Sequence, residues 1–232
     1  MQSKPIYTRF KDCHKGESGI IIANGPSLRD VPIEYLMSMP TFGCNYVHML
    51  GDFAPTYYAN IGVNHLDTEE KRASIFPAMA RPNCKAAFIN RLFAHYFPFE
   101  DVVGIMSGSV FKWPQRETRK FRTDPLDYIG VGGTMLFGLF QIAYYMGFDK
   151  VYVVGLDHDY EGKEPHFYSE DDVPFIEAVP GPVYDYDNER WQARCDGVFT
   201  MCRIAYEDDG RRIINITPGS KCDVFEKGAP EW

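Results

Sequence analysis

The side chains best placed to do chemistry in this sequence stand where apolar runs stop. Asn24, Gly25 and Ser27 follow Ile20-Ile21-Ile22-Ala23. Asn45, Asn60 and Asn90 close runs at 41–46, 56–60 and 85–90. Asp157 follows Val151-Tyr152-Val153-Val154-Gly155-Leu156, and Thr217 follows Ile213-Ile214-Asn215-Ile216. Asparagine donates and accepts, so it suits ribose hydroxyls, base edges and phosphate oxygens. A single Asn there is also a plain strand terminator; four of them beside a glycine turn point to a polar ligand cleft. The turn Asn24-Gly25-Pro26-Ser27 is expected to bare backbone N–H groups to an anion such as a phosphate. A surface turn that binds nothing is the competing reading.

A second candidate is Gly130-Val131-Gly132-Gly133-Thr134, which opens an apolar helix. Either Gly132, Gly133 and Thr134 direct their amides at an anion, or the glycines let the helix pack closely on a sheet. The stretch has neither the Gly-Lys-Ser/Thr ending of a Walker A loop nor GxGxxG spacing. Beyond Asp157 come His158, Asp159, Tyr160, His166 and Tyr168. A carboxylate here can take a sugar hydroxyl, a magnesium ion or an acceptor amine. A histidine can serve as general base, and His166 in Pro165-His166-Phe167-Tyr168 is the stronger candidate. No GxSxG elbow occurs, which argues against Ser/His/Asp hydrolysis.

The elements that must position these residues alternate in type. Strands are predicted at about 19–23, 41–46, 56–60, 85–90, 102–106, 151–155 and 213–217. Helices are predicted at about 31–38 (capped by Asp30), 67–80 (charged and exposed), 134–146 (stopped by Gly147) and 189–208. In the last, Trp191, Cys195, Val198, Cys202 and Ala205 share a face. The run at 151–155 lacks polar alternation, as a strand covered on both faces does. Residues 112–127 and a lid at about 158–188 read as loops. The expectation is a single Rossmann-like α/β domain spanning 1–232: an open, mostly parallel sheet with helices on both faces and ligands at the strands' carboxyl ends.

Composition narrows the partners. With 24 Lys+Arg against 32 Asp+Glu the net charge is −8, which disfavours nucleic-acid backbones but not a free nucleotide. The six cysteines form no CxxC pair and read as reduced, mostly buried thiols, with no metal site expected. Lys4, Arg9, Lys11 and Asp12 interrupt any signal-peptide core, and no apolar run reaches membrane-spanning length. A cytoplasmic location is the expectation, and assembly of identical copies stays open.

Three segments carry a family resemblance: residues 19–28, Cys44-Asn45, and Gly147-Phe-Asp-Lys-Val-Tyr-Val-Val-Gly-Leu-Asp157. They resemble the glycosyltransferase family 42 sialyltransferases and, equally, the related MptE-like 6-hydroxymethylpterin diphosphokinases, once known only as a domain of unknown function. His166-Phe167-Tyr168, the helix near 191–208 and residues 214–220 resemble bacterial members of the second group. The likeness runs over about 18–226. It implies a nucleotide donor, CMP-linked sugar or ATP, and a glycan or small alcohol acceptor. Asn24, Gly25, Pro26 and Ser27 would meet phosphate and ribose; Asn45 and Asn60 would meet the sugar side. Tyr160 and Tyr168 would steady the departing phosphate, and His166 would be the base. Sialyl transfer of this kind needs no metal; the diphosphokinase reading would put Asp157 on magnesium. The sialyltransferases carry their histidine farther past the Gly-x-Asp strand than His166 lies here. That departure also leaves room for a nucleotide-binding module without catalysis.

Overall fold

The computed structural model describes residues 8–63, 65–107, 120–125, 128–159, 166–169, 173 and 188–229. Eight strands form one sheet: β1 (Ser18–Ile22), β2 (Thr41–Cys44), β3 (Tyr57–Asn60), β4 (Ala86–Asn90), β5 (Val102–Ile105), β6 (Lys150–Val154), β7 (Arg212–Asn215) and β8 (Glu226–Lys227). Their spatial order is β5-β4-β3-β2-β1-β6-β7-β8, and every pairing is parallel. The order reverses between β1 and β6, whose register runs from Ser18↔Lys150 to Ile22↔Val154. A crevice opens outside the strand ends at such a reversal, between Asn24 and Asp157.

Both faces of the sheet are covered, so its central strands are apolar at every position. Ile20, Ile21 and Ile22 are each wholly buried. Ile21, Val151 and Val153 point into a layer shared with the helices α3 (Met135–Tyr145) and α4 (Asn188–Asp208). Ile20, Ile22 and Val154 point into the opposite layer, with α1 (Ile33–Leu36) and α2 (Glu69–Ala80). This is the α/β, Rossmann-like architecture expected from the sequence.

Helix α3 is buried nearly all round, which its composition foretold. It ends at Gly147, φ +90°. There the Phe148 amide bonds Ala143 O and the Gly147 amide bonds Tyr144 O. That crossed pair requires a left-handed residue at the stop. On α4 the buried face is Cys195, Val198, Phe199, Cys202 and Tyr206, turned slightly from the predicted stripe; Trp191 and Ala205 lie at its margin.

Two local expectations are corrected, and one strand is added. Asp30 does not cap a helix: Pro26–Asp30 is a 3-10 turn, and α1 starts after Pro32 with no side-chain cap. The proline at the turn's start presets φ and pulls the helical geometry upstream. Helix α2 is not exposed throughout: it buries Ile75, Ala78 and Met79 under the sheet, and Thr68 caps it. Strand β8, two exposed residues long, had no apolar pattern to announce it.

Candidate functional site

The turn after β1 is already occupied. The Gly25 amide bonds Gly155 O at 2.9 Å. The Ser27 amide and hydroxyl bond the two carboxylate oxygens of Asp157, at 3.1 and 2.8 Å. Pro26 has no N–H to offer. The expectation that Gly25, Pro26 and Ser27 present open amides to an anion is therefore corrected: the anion at this turn is the Asp157 carboxylate. Strand β6 ends beside β1, so its C-terminal residues reach across the crevice and take the amides first. The turn's five residues are too few to build a helix dipole, so no second attraction competes.

What the crevice does leave unpaired is carbonyl oxygen. The side-chain oxygens of Asn24, Asn45 and Asn60, at the ends of β1, β2 and β3, are buried without a hydrogen-bond partner. Asn60 is fully buried, and its amide nitrogen reaches only Tyr58 Oη, at 3.5 Å. Asn24 spends its amide on the Cys44 sulfur at 3.4 Å. Asn45 is in the left-handed region, φ +51°, with its own carbonyl held by Tyr58 Oη at 2.9 Å. A buried polar atom without a partner costs about 1–3 kcal/mol. Three adjacent strand ends bearing that cost together form a surface matched to a ligand rich in O–H or N–H donors. By contrast Asn90 is satisfied: it bonds Ile61 O, Ser107 Oγ and the Leu92 amide, and serves the fold.

The short segment His166–Ser169 is strapped over these ends. The Phe167 amide bonds Asn24 O at 2.9 Å, and Arg29 Nε bonds Phe167 O at 2.7 Å. This brings Tyr168 against Tyr46 edge to face (5.5 Å) and stacks His166 on Tyr168 (4.8 Å, 7°). His65 also packs on Tyr46, edge to face at 5.8 Å. His166 thus reaches the strand ends although it lies only nine residues past Asp157. Tyr160 and most of the predicted lid, 158–188, fall outside the described residues, as do 108–119, 126 and 127 of the polar loop.

At the second glycine stretch, packing accounts for both left-handed glycines. A Cβ on Gly132 would lie 2.8 Å from Phe137 and Val198, and one on Gly133 would lie 2.7 Å from the Arg194 guanidinium. Thr134 caps α3, its hydroxyl accepting from the Leu136 amide at 3.4 Å. Sequence reasoning missed Tyr46, His65 and Arg29. Tyr46 directly follows Asn45 at a strand end, the one signal that could have singled it out.

Two histidines near this edge are held neutral. Burial lowers His48 to about 4, with Arg81 adding to the effect. Burial lowers His65 to about 4, helped by Lys71 and His166 and opposed by Asp67. The unfolded chain protonates these rings below about 6.5, the folded protein only near 4. Their contribution is whole above pH 6.5 and is lost as the pH falls towards 4. The unfolding free energy from urea titrations is expected to drop across that window by about 2 kcal/mol, partial solvent exposure of both rings cutting the full linkage value, and a His48→Gln/His65→Gln double variant should flatten the drop.

Comparison with known proteins gives one solved structure to report: the crystal structure of a tyrosine-to-phenylalanine variant of the sialyltransferase CST-II in complex with CMP. The two chains superpose with a TM-score of 0.55 at 15% identity, over 91% of this chain and 86% of that one. At that identity the match establishes a shared fold. No protein-family model and no curated protein sequence matches the chain. No helix among the described residues is long and apolar enough to cross a membrane.

Proposed function

We propose that the protein is a transferase that moves a glycosyl group from a nucleotide-activated sugar, of the CMP-linked kind, to a hydroxyl acceptor. The observation that carries this reading is the trio of unpaired oxygens on Asn24, Asn45 and Asn60 at the crevice. Sugar hydroxyls and an exocyclic base amine supply the donors those oxygens lack. The fold shared with a CMP-bound sialyltransferase supports the same reading.

In this scheme the acceptor oxygen attacks the anomeric carbon and His166 takes its proton. The bond from that carbon to the donor phosphate breaks, and the electron pair leaves with the phosphate. Tyr160 and Tyr168 donate O–H to it. Asp157 acts through Ser27, fixing the turn that carries Asn24. Its negative charge repels a phosphate from that turn, so the donor's phosphate lies towards Tyr168, or towards Gly132, Gly133 and Thr134.

The test is a thermal-shift series with CMP, CMP-sugars, UDP-sugars and ATP. Binding at a hundred times Kd contributes about 2.7 kcal/mol, or roughly 5–10 °C for a chain this long. CMP and a CMP-sugar are expected to give that rise. Asn45→Gly keeps the left-handed backbone and removes the side chain, and should weaken CMP binding about tenfold or more. A rise with ATP alone, with turnover abolished by EDTA, would overturn the proposal in favour of diphosphoryl transfer.

A further inference from the structure

His158, Asp196 and Cys222 meet on the α4 side of the sheet. They come from three segments: the one after β6, the third turn of α4 and the one after β7. Their ligand atoms all lie within 4.8 Å of one another, the only such group of three among the described residues. His158 Nε2 is 2.8 Å from Asp196 Oδ1. The His158 and Cys222 residues are buried, whereas the Asp196 side chain is 40% exposed, which leaves an approach from solvent.

A hydrogen bond between a neutral imidazole and a carboxylate accounts for two of the three groups. It does not account for the thiol. The Cys222 sulfur is fully buried and lies within 4.8 Å of the ligand atoms of both.

The segments after β6 and β7 are tied together in advance. Ser220 Oγ donates to Leu156 O at 2.5 Å and accepts from the Cys222 amide at 3.2 Å. The Lys221 amide bonds Asp157 O at 2.8 Å. His158 itself is held in the left-handed region, φ +55°, which β-carbon-bearing residues enter only when their surroundings compel it.

We propose that His158, Asp196 and Cys222 hold one Zn2+ ion, through an imidazole nitrogen, a carboxylate oxygen and a thiolate sulfur, with water in the fourth position. The mixed N, O and S set suits zinc and its substitute cobalt; calcium and magnesium require oxygen ligands throughout. Zinc bonds of about 2.0–2.3 Å put tetrahedral ligand atoms about 3.3–3.8 Å apart. Closing from the present spacing takes side-chain rotation of about 1 Å. Binding releases the thiol proton to solvent. The ion would fasten α4 to the segment carrying Asp157, and it takes no part in the donor chemistry proposed above.

The experiment uses the full chain stripped with a chelator, dialysed against Zn2+ and assayed for metal by mass spectrometry, with Co2+ titrations in parallel. Expected are one zinc per chain and a thiolate-to-cobalt charge-transfer band. Cys222→Ser should abolish the band and weaken zinc binding by about a hundredfold, while Cys13→Ser, at an exposed thiol, should change neither. Should Cys222→Ser fail to fold, Asp196→Asn on the helix surface must still weaken zinc binding tenfold or more. Absence of bound zinc, a cobalt band that survives Cys222→Ser, or an affinity unmoved by Asp196→Asn would each overturn the site. CMP binding is read separately on the stripped protein, so loss of the zinc site leaves the donor reading standing, and the reverse.

Discussion

Gly25→Ala is expected to destabilise the protein by about 3 kcal/mol, the upper part of the range for forcing atoms into a packed site. The reason is space, not conformation: φ at Gly25 is −71°, open to any residue. A Cβ there would stand 2.0 Å from Asp157 Oδ2 and 2.5 Å from Gly155 O. One obstacle is a side chain and the other is backbone, so rotating Asp157 relieves only part of the strain. Rotating it also abandons the Ser27 amide and hydroxyl, each then losing a charge-assisted bond. A double-mutant cycle with Asp157→Ala separates the two contributions. Removing the carboxylate should lower the cost of Gly25→Ala by about 1 kcal/mol or more, with the remainder set by Gly155 O. Urea unfolding of the four proteins measures this. A Gly25→Ala variant within 0.5 kcal/mol of the parent, a value ordinary for open surface positions, would show that β1 and β6 do not close on each other as described.

That closure is the part of the site the sequence could not display. Asn24, Asn45 and Asn60 were legible because each ends an apolar run, and a strand's end is a local property. The pairing of Ser27 with Asp157 spans 130 residues and follows from strand order. Alternating strands and helices imply a parallel sheet, but nothing in their composition says that β6 lies beside β1. The glycine turn therefore read as an open cradle when its amides were already spent. His166 shows the same limit in reverse. Counted along the chain it lay too near Asp157, yet the bonds from Asn24 O and Arg29 fold its segment back over the strand ends. The glycines at 132 and 133 left two readings open at the sequence level. The contacts behind the packing reading come from Phe137, Val198 and Arg194, residues on two helices, and composition alone does not place them there. Helix α3 needed no such help, because a segment apolar on all sides has few places to go.

Within α3 one polar residue interrupts the apolar run, and it carries the second large expectation. Gln141 is fully buried, and all of its hydrogen-bonding capacity is used. Its Oε1 accepts from the Gly130 and Arg122 amides, both at 3.0 Å; its Nε2 donates to Gly130 O at 3.0 Å and Phe137 O at 2.7 Å. The side chain thereby stands in for a strand neighbour, satisfying a buried connection that no ladder reaches. Gln141→Leu keeps most of the volume and removes every one of these partners. The buried Gly130 amide and carbonyl and the half-buried Arg122 amide would be left unpaired, so a loss of about 3 kcal/mol is expected. Gln141→Glu retains the acceptors but places a charge where solvent is excluded, and should be at least as costly near neutral pH. Lowering the pH should then restore part of its stability, because protonation removes the buried charge and supplies one donor. Chemical denaturation of both variants at pH 7 and pH 5 reads this directly. A Gln141→Leu protein as stable as the parent would mean that the Gly130 connection finds its partners elsewhere, and that α3 is held by its apolar surface alone.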